Sequence, residues 1–530
     1  MDLRQKDCDF TRENFAILLK QNQEILNQNI QQSEEIKGLK RALEESEKKI
    51  SLLLEQKRLS NLKQFASKSE CGKFLQLELV FDEMYESGEN TTDPNEESSD
   101  AANTETITYT RKKKTTGRRI DTSNLPRERV VHDLAEKDKN CKQCGNQLEK
   151  FGEDISEQLE YVPAQIKVIE HVVPKYKYSC KCCDTVKSIS KPDMPIPKSM
   201  AAPSLIAEVI IKKYQHHLPW YRQSKIFAQD GIDIPANTIC NWFMQAGKIL
   251  EPLNIVLKEQ LNYTNNLQAD ETPVKVLKDK IRGYMWGYHS LEPKNRFILF
   301  EYNESRGSHV VNNTLDNYRG ILQTDGYSAY NNLRSKSDIV SLGCWAHCRR
   351  HFADVVKISN KSGKAHEVIK WISKLYQIES EARENKLDFA ARKEIRQANA
   401  PPILEKIYEI LTKSSALPKG CLGKAITYGL NNWDYLKRYA DYGESEIDNN
   451  MIENQIRPFA VSKKNWLFIG NQNAAETAAF FYSLIHSCKL NDIHPKKYLV
   501  YILHQAGKLR RGEIEPRSLL PQFIDKDLLV

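Results

Sequence analysis

Two sets of side chains in this sequence carry the spacing of chemistry. The first is thiol: Cys141 with Cys144 and Cys180 with Cys183 form two C-x-x-C pairs, with Cys182 inside the second. A C-x-x-C turn lets both sulfurs converge on one ion, so the two pairs predict a tetrahedral four-thiolate site for one structural Zn²⁺. The strand-like stretch YVPAQIKVIEHVV between them gives this module, residues 126–195, the character of a zinc ribbon; His171 within it reads as a spare ligand or a surface histidine. The chain has twelve cysteines and no apolar run behind its N-terminal charges, which argues against a secreted disulfide framework.

The second set is acidic. Asp270 ends the run LQAD, Asp325 ends GILQTD, and Glu453 lies in IDNNMIENQIRPF on a helix expected to start at Asn450. Two carboxylates held together repel unless a cation lies between them, and a hard ion such as Mg²⁺ or Mn²⁺ prefers carboxylate oxygen. A third acid would complete a site for two such ions, which can activate an attacking oxygen and stabilise a leaving one. The same residues admit plainer readings: a turn at Asp325-Gly326, exposed charge at Asp270-Glu271, and a helix cap formed by Asn450-x-x-Glu453. On spacing alone, Glu271 competes with Asp270 and Asp448 with Glu453. Cys344, His347, Cys348 and His351 in CWAHCRRHF have helical spacing and read as a buried face rather than a second metal site.

The elements that must position these acids can be read from periodicity. LQADETPVKVL, IRGYMWGYHS and RFILFEYN predict a three-stranded meander, SHVVNNTLDNY a helix, GILQTDGYSAY a fourth strand and DIVSLGCW a fifth. Three antiparallel strands, a helix and two more strands is the order of an α/β ribonuclease H-like core. That order sets the first strand beside the fourth, so Asp270 and Asp325 can approach. The core is expected over 262–475, with an all-helical insertion at about 353–445 and a C-terminal helical tail over 476–530.

Upstream, residues 200–255 predict a helix-turn-helix region. Its turn falls at Asp230-Gly231, and its second helix starts near Pro235 and presents Asn237, Thr238 and Asn241 to DNA. Any helical hairpin with a glycine turn would look alike. Residues 11–60 predict one long helix with a heptad seam, Phe15, Asn22, Asn29, Ile36, Leu43 and Ile50 in one row and Leu18, Ile25, Gln32, Leu39, Ser46 and Leu53 in the other. That seam predicts a coiled coil, with a solvated surface helix as the alternative. Residues 84–125 change to a polar, acidic, disordered linker ending in the basic tract RKKKTTGRR, which could follow phosphates or simply solubilise.

The 530 residues are too many for one core, and 40% hydrophobic with 28% charged residues describes globular domains. The net charge of +8 is uneven, with basic clusters suited to a polyanion. No apolar run is long enough for a membrane span. The expected compartment is the cytoplasm.

GYMWGY, GCWAHCRRHF, IDNN-x-x-E and SKKNWLFIG, with LPRERVVHDL before the first cysteine pair and HHLPWYRQ in the helical region, resemble the transposases of the insertion sequence 66 family. The likeness runs over nearly the whole chain in order. It implies a DNA transposase, bacterial and associated with the nucleoid, that cuts at terminal inverted repeats and joins the ends to target DNA. It implies that the catalytic acids lie in ADET, TDGY and DNN-x-x-E, at Asp270, Asp325 and Glu453, and it decides between these and Glu271 or Asp448. Arg457, Lys463 and Lys464 then read as phosphate contacts near the cleaved end, with His347, Arg349 and Arg350 as further DNA contacts. A dimer or higher oligomer would hold two ends, and small proteins of the same element could assist. One departure is that Asn454 and Gln455 stand where arginine and alanine are expected. The rival readings are a DNA-binding regulator without cleavage and a nuclease that cuts without joining.

Overall fold

The computed structural model describes residues 3–65, 166–173, 176–177, 186–187, 194–277, 282–358 and 363–529. The chain divides into two units, residues 69–188 and the remainder. In the smaller unit, β1 (Tyr176–Lys177) and β2 (Val186–Lys187) pair antiparallel, with Tyr176 opposite Lys187. They bracket the stretch carrying Cys180, Cys182 and Cys183, which lies outside the described residues, as do Cys141, Cys144 and the linker at 84–125.

The larger unit begins with α1 (Leu3–Phe65), a single 63-residue helix. Phe15, Leu18, Ile25, Ile36, Leu39, Leu43, Ile50 and Leu53, the apolar members of both seam rows, are each more than half exposed. No helix among the described residues is long and apolar enough to cross a membrane.

Among the described residues, four helices lie between α1 and the sheet: α2 (Pro203–Tyr214), α3 (Trp220–Gln229), α4 (Ala236–Ile249) and α5 (Glu251–Glu259). The turn between α3 and α4 passes through Gly231 at φ +82°, a backbone that glycine adopts without a Cβ clash. In α4, Ile239, Trp242, Phe243 and Ala246 recur at helical spacing and are buried. Asn237 and Asn241 are exposed, and Thr238 and Cys240 half-buried, so of the stretch 237–243 the two asparagines point furthest from the core.

The sheet has five strands in the order β5-β4-β3-β6-β7: β3 (Asn266–Lys275), β4 (Arg282–Ser290), β5 (Ile298–Asn303), β6 (Gly320–Gln323) and β7 (Ile339–Leu342). The first three pair antiparallel, while β6 joins β3 and β7 joins β6 in parallel. These strands fall on the five stretches read from the sequence, with α6 (Ser308–Thr314) before the fourth and α7 (Asn331–Arg334) after it.

From β7 the chain is helical: α8 (Trp345–Ile358), α9 (Lys364–Glu384), α10 (Phe389–Thr412), α11 (Cys421–Asn431) and α12 (Trp433–Lys437). They enclose a core of their own around Trp345, Phe352, Ile372, Leu375, Leu411 and Leu436. Four charges knit this region together. Arg396, fully buried, donates to both oxygens of Glu379, and Arg392 donates to Glu379 and Glu446. Each buried charge is thereby paired, the condition on which such a cluster is tolerated.

The chain returns to the sheet through α13 (Asn450–Trp466), α14 (Gln472–Leu490), α15 (Pro495–His504) and α16 (Ala506–Arg510). Residues 476–530, expected as a tail, are instead part of the main core. The hydroxyls of Ser487 and Ser483 on α14 accept from the backbone N–H of Ile298 and Phe300, so the helix covers the outer edge of β5. Its opposite face packs Tyr482 on Tyr214 and Phe481 on Phe243, joining the sheet to the N-terminal helices. The core boundary read at residue 475 falls inside this helix.

Candidate active site

Parallel pairing fixes the first two acids. Leu267 lies opposite Leu322 and Gln268 opposite Gln323, so Asp270 and Asp325 each follow a register partner by two residues. Asp270 remains within β3, and Asp325 opens the loop after β6. Glu453 stands in the first turn of α13, and its charge is felt at Asp270 along with that of Asp325.

Two buried glutamines tie these elements together. Gln268 Nε2 donates to Gln323 Oε1 at 2.8 Å and to the Asp448 carbonyl at 2.8 Å, while its Oε1 accepts from the Ile452 N–H. Gln323 Nε2 donates to the carbonyls of Gly343 and Glu446. Both side chains are fully buried. They therefore grip the segment 446–452 that leads into Glu453 from the same two strands that carry Asp270 and Asp325. Sequence reading passed over them, since a glutamine inside a strand carries no motif; the signal was its repeat two residues before each acid.

The neighbourhood separates the competing acids. Glu271 accepts from Arg306 Nε and Nη2 at 2.8 and 2.6 Å, and from Tyr330 OH at 3.1 Å. Asp448 accepts from Tyr376 OH and from the N–H of Asn450, in the manner of an internal strut. Burial pushes its carboxyl up to about 6. Asp270 has neither partner. Its one hydrogen bond comes from the Glu271 N–H, and burial, then the charges of Glu271, Asp325 and Glu453, push its carboxyl up to about 8. A buried carboxyl crowded by other acids is the electrostatic complement of a cation site.

Glu453 faces α8. Its Oε2 lies 3.5 Å from Arg350 Nη2 and its Oε1 3.7 Å from His347 Nδ1. That Oε1 is buried and accepts no hydrogen bond. Among the described residues no three His, Cys, Asp or Glu side chains close on one point at metal-ligand distance. The donor set nonetheless fits a hard divalent ion: carboxylate oxygens only, mutually repelling, one of them a buried orphan.

The remaining residues singled out in the sequence lie as follows. Arg457 and Lys464 are exposed on α13. Lys463 is half-buried, its ammonium donating to Thr272 Oγ1 and to the Pro273 carbonyl, so it ties α13 to β3 rather than standing open to a phosphate. Arg349 is half-buried, on the side of α8 towards Tyr376, and Arg350 is exposed. Cys344 and Cys348 are buried without ionised character, burial raising both thiols. Gln455, at the departure from the expected motif, lies with Oε1 3.0 Å from Nδ1 of the buried His486.

Known proteins share this layout. A family model described as "Transposase IS66 family" matches residues 198–477, and one described as "zinc-finger binding domain of transposase IS66" matches 138–184. The second span includes all four cysteines of the two C-x-x-C pairs. Among curated proteins, the chain is similar to the uncharacterized protein y4jD of Sinorhizobium fredii, 31% identical over 75% of this chain and 80% of the relative. The uncharacterized protein y4qI of the same organism is 31% identical over 72% of this chain and 74% of its own length.

Proposed function

The chain belongs to the insertion sequence 66 transposase family, and from that premise we propose that it cuts DNA at the ends of a mobile element and joins them to a target, using Asp270, Asp325 and Glu453. The observation that carries the reading is the parallel register of β3 and β6, which sets Asp270 and Asp325 abreast, with a carboxyl at Asp270 that ionises only reluctantly. The strand order, with its helical insertion between β7 and α13, supports a ribonuclease H-like core.

Asp270 and Asp325 would hold a shared divalent ion, Mg²⁺ or Mn²⁺, and Glu453 a second. Bound there, such ions supply Lewis acidity for phosphodiester hydrolysis and for attack by the freed 3′-hydroxyl. The chain's own contribution is position. The glutamine pair holds the three carboxylates on one rigid frame, and Arg306 neutralises Glu271 so that it does not compete. Arg350 and His347, beside Glu453, would meet a phosphate, as would the exposed Arg457 and Lys464. Cys141, Cys144, Cys180 and Cys183 would hold one structural Zn²⁺. α3 and α4 would read the terminal repeats through Asn237, Thr238 and Asn241. Pairing of two copies through α1 would bring two ends together, with small proteins of the same element as possible assistants.

The test is cleavage of a labelled duplex from the element's end with Mg²⁺, comparing wild type with Asp325→Ala. Nicking and joining by wild type, with binding alone by the variant, is the expected result. Binding by both without cutting by either, accessory proteins supplied, would leave a DNA-binding regulator as the better reading. Cutting without joined products would leave a nuclease.

A further inference from the structure

The peptide bond after Asp325 leads straight into a second feature. Between the segment 326–335 and helices α11 and α12 lies an open cleft of about 650 Å³. Its lining includes Arg334, His351, Lys424, Thr427, Tyr428 and Asn432, and contains no aspartate or glutamate. This contrasts with the cluster of acids one residue away. Arg334 forms the floor: Nη2 donates to the Asp325 carbonyl at 2.5 Å, Nη1 donates to Asn432 Oδ1 at 3.1 Å, and the buried Nε has no partner. Its guanidinium lies 4.5 Å from the centre of the Tyr435 ring, a cation–π contact, and also feels the charge of Asp325. The rings of Tyr428 and His351 lie 4.4 Å apart on the wall. Gly326 keeps the entrance open, since a Cβ there would sit 2.7 Å from the Tyr428 ring.

We propose that this cleft binds a short run of unpaired DNA next to the cut, with its phosphates on Arg334 and Lys424 and a base against Tyr428. The inference rests on the DNA-cutting reading of the adjacent acids. Cationic donors without an acid select a polyanion, and aromatic faces beside them select nucleobases regardless of sequence. The volume is that of a small-ligand pocket, whereas a duplex, whose major groove alone is about 12 Å wide, has no room to enter. Cutting one strand beside Asp325 frees a strand end that can unstack into such a cleft, keeping it clear of the reacting phosphate.

The experiment measures binding by the full chain, without divalent ions, to duplexes from the element's end that are blunt or carry a three-nucleotide single-stranded extension. Wild type is expected to favour the extended duplex by about fivefold or more, the scale of one stacked base. Lys424→Glu and Thr427→Glu, both at exposed positions, should bring the ratio to about one by weakening the extended duplex far more than the blunt one. Iodouridine in the extension should cross-link within residues 421–435. A ratio of one in wild type overturns the proposal, as does equal weakening on both duplexes or cross-linking elsewhere. The parent reading fails differently: wild type would then not distinguish the element's end from unrelated DNA of equal length.

Discussion

Asp270 and Glu271 are neighbours in β3 with the same charge, yet only Glu271 has an arginine. The difference was closed to sequence reading, because Arg306 reaches Glu271 from beyond β5. Resemblance chose between them, and the two acids differ in their contacts. That difference has a measurable consequence. An acid whose pKa is 3.8 unfolded and about 8 folded keeps a proton in the native state that the unfolded chain has lost. Between those values the native state binds more protons, so stability falls as pH rises. Asp270→Asn should therefore raise the melting temperature at pH 8 by roughly 1–3 °C, corresponding to about 1–2 kcal/mol, with the gap closing below pH 4. Mg²⁺ should raise the melting temperature of wild type at pH 8 and leave that of Asp270→Asn unmoved. Parallel melting curves across pH for the two proteins would sink this account of the site.

At the scale of elements, the strands were legible because alternation and tight turns are local signals. The helix bearing Glu453 was legible from its Asn-rich start. What holds that helix against the sheet was not, since Gln268 meets Asp448 and Ile452 across 180 and 184 residues. Such pairing leaves no trace in a window of sequence. Its energetic weight is clear nonetheless: Gln268→Leu strips a donor and an acceptor from fully buried partners, at a cost of about 2–4 kcal/mol. If the glutamine pair positions Glu453, the loss should appear in rate before it appears in binding. We expect Gln268→Leu to bind the element's end with wild-type affinity, to cut about 100-fold more slowly, and to need more Mg²⁺ for half its maximal rate. A variant that is merely less stable would recover wild-type cutting at low temperature and an unchanged Mg²⁺ requirement, and that result would reduce the pair to a structural strut.

On the scale of the molecule, the zinc-finger match precedes the transposase match as expected, and the boundary read at residue 475 falls inside a helix. α14 is apolar nearly all round, with Ala475, Ala478, Phe481, Leu484, Ile485 and Cys488 buried, because it is sandwiched between β5 and the N-terminal helices. A helix hydrophobic on every face belongs inside a protein, so its composition did carry the signal that a tail reading overlooked. α1 poses the opposite case. Its apolar rows are exposed, among the described residues, along a helix longer than the 12 to 15 residues or so that isolated helices need to be even marginal. A seam interrupted by Asn22, Asn29 and Gln32 pairs less tightly than an all-apolar one, but it restricts register and partner number. Placing Glu at Ile36 and Leu39 together puts four like charges into one layer region of a dimer. Sedimentation is then expected to show a dimer for wild type and a monomer for this variant. Melting of the globular part should be unchanged, since neither side chain touches its core. If two copies are what hold two ends, this variant should still nick a single end at the wild-type rate while losing products in which both ends are joined to one target. Joining of both ends by a monomeric variant would separate α1 from assembly altogether, and would leave its exposed stripe to some other partner.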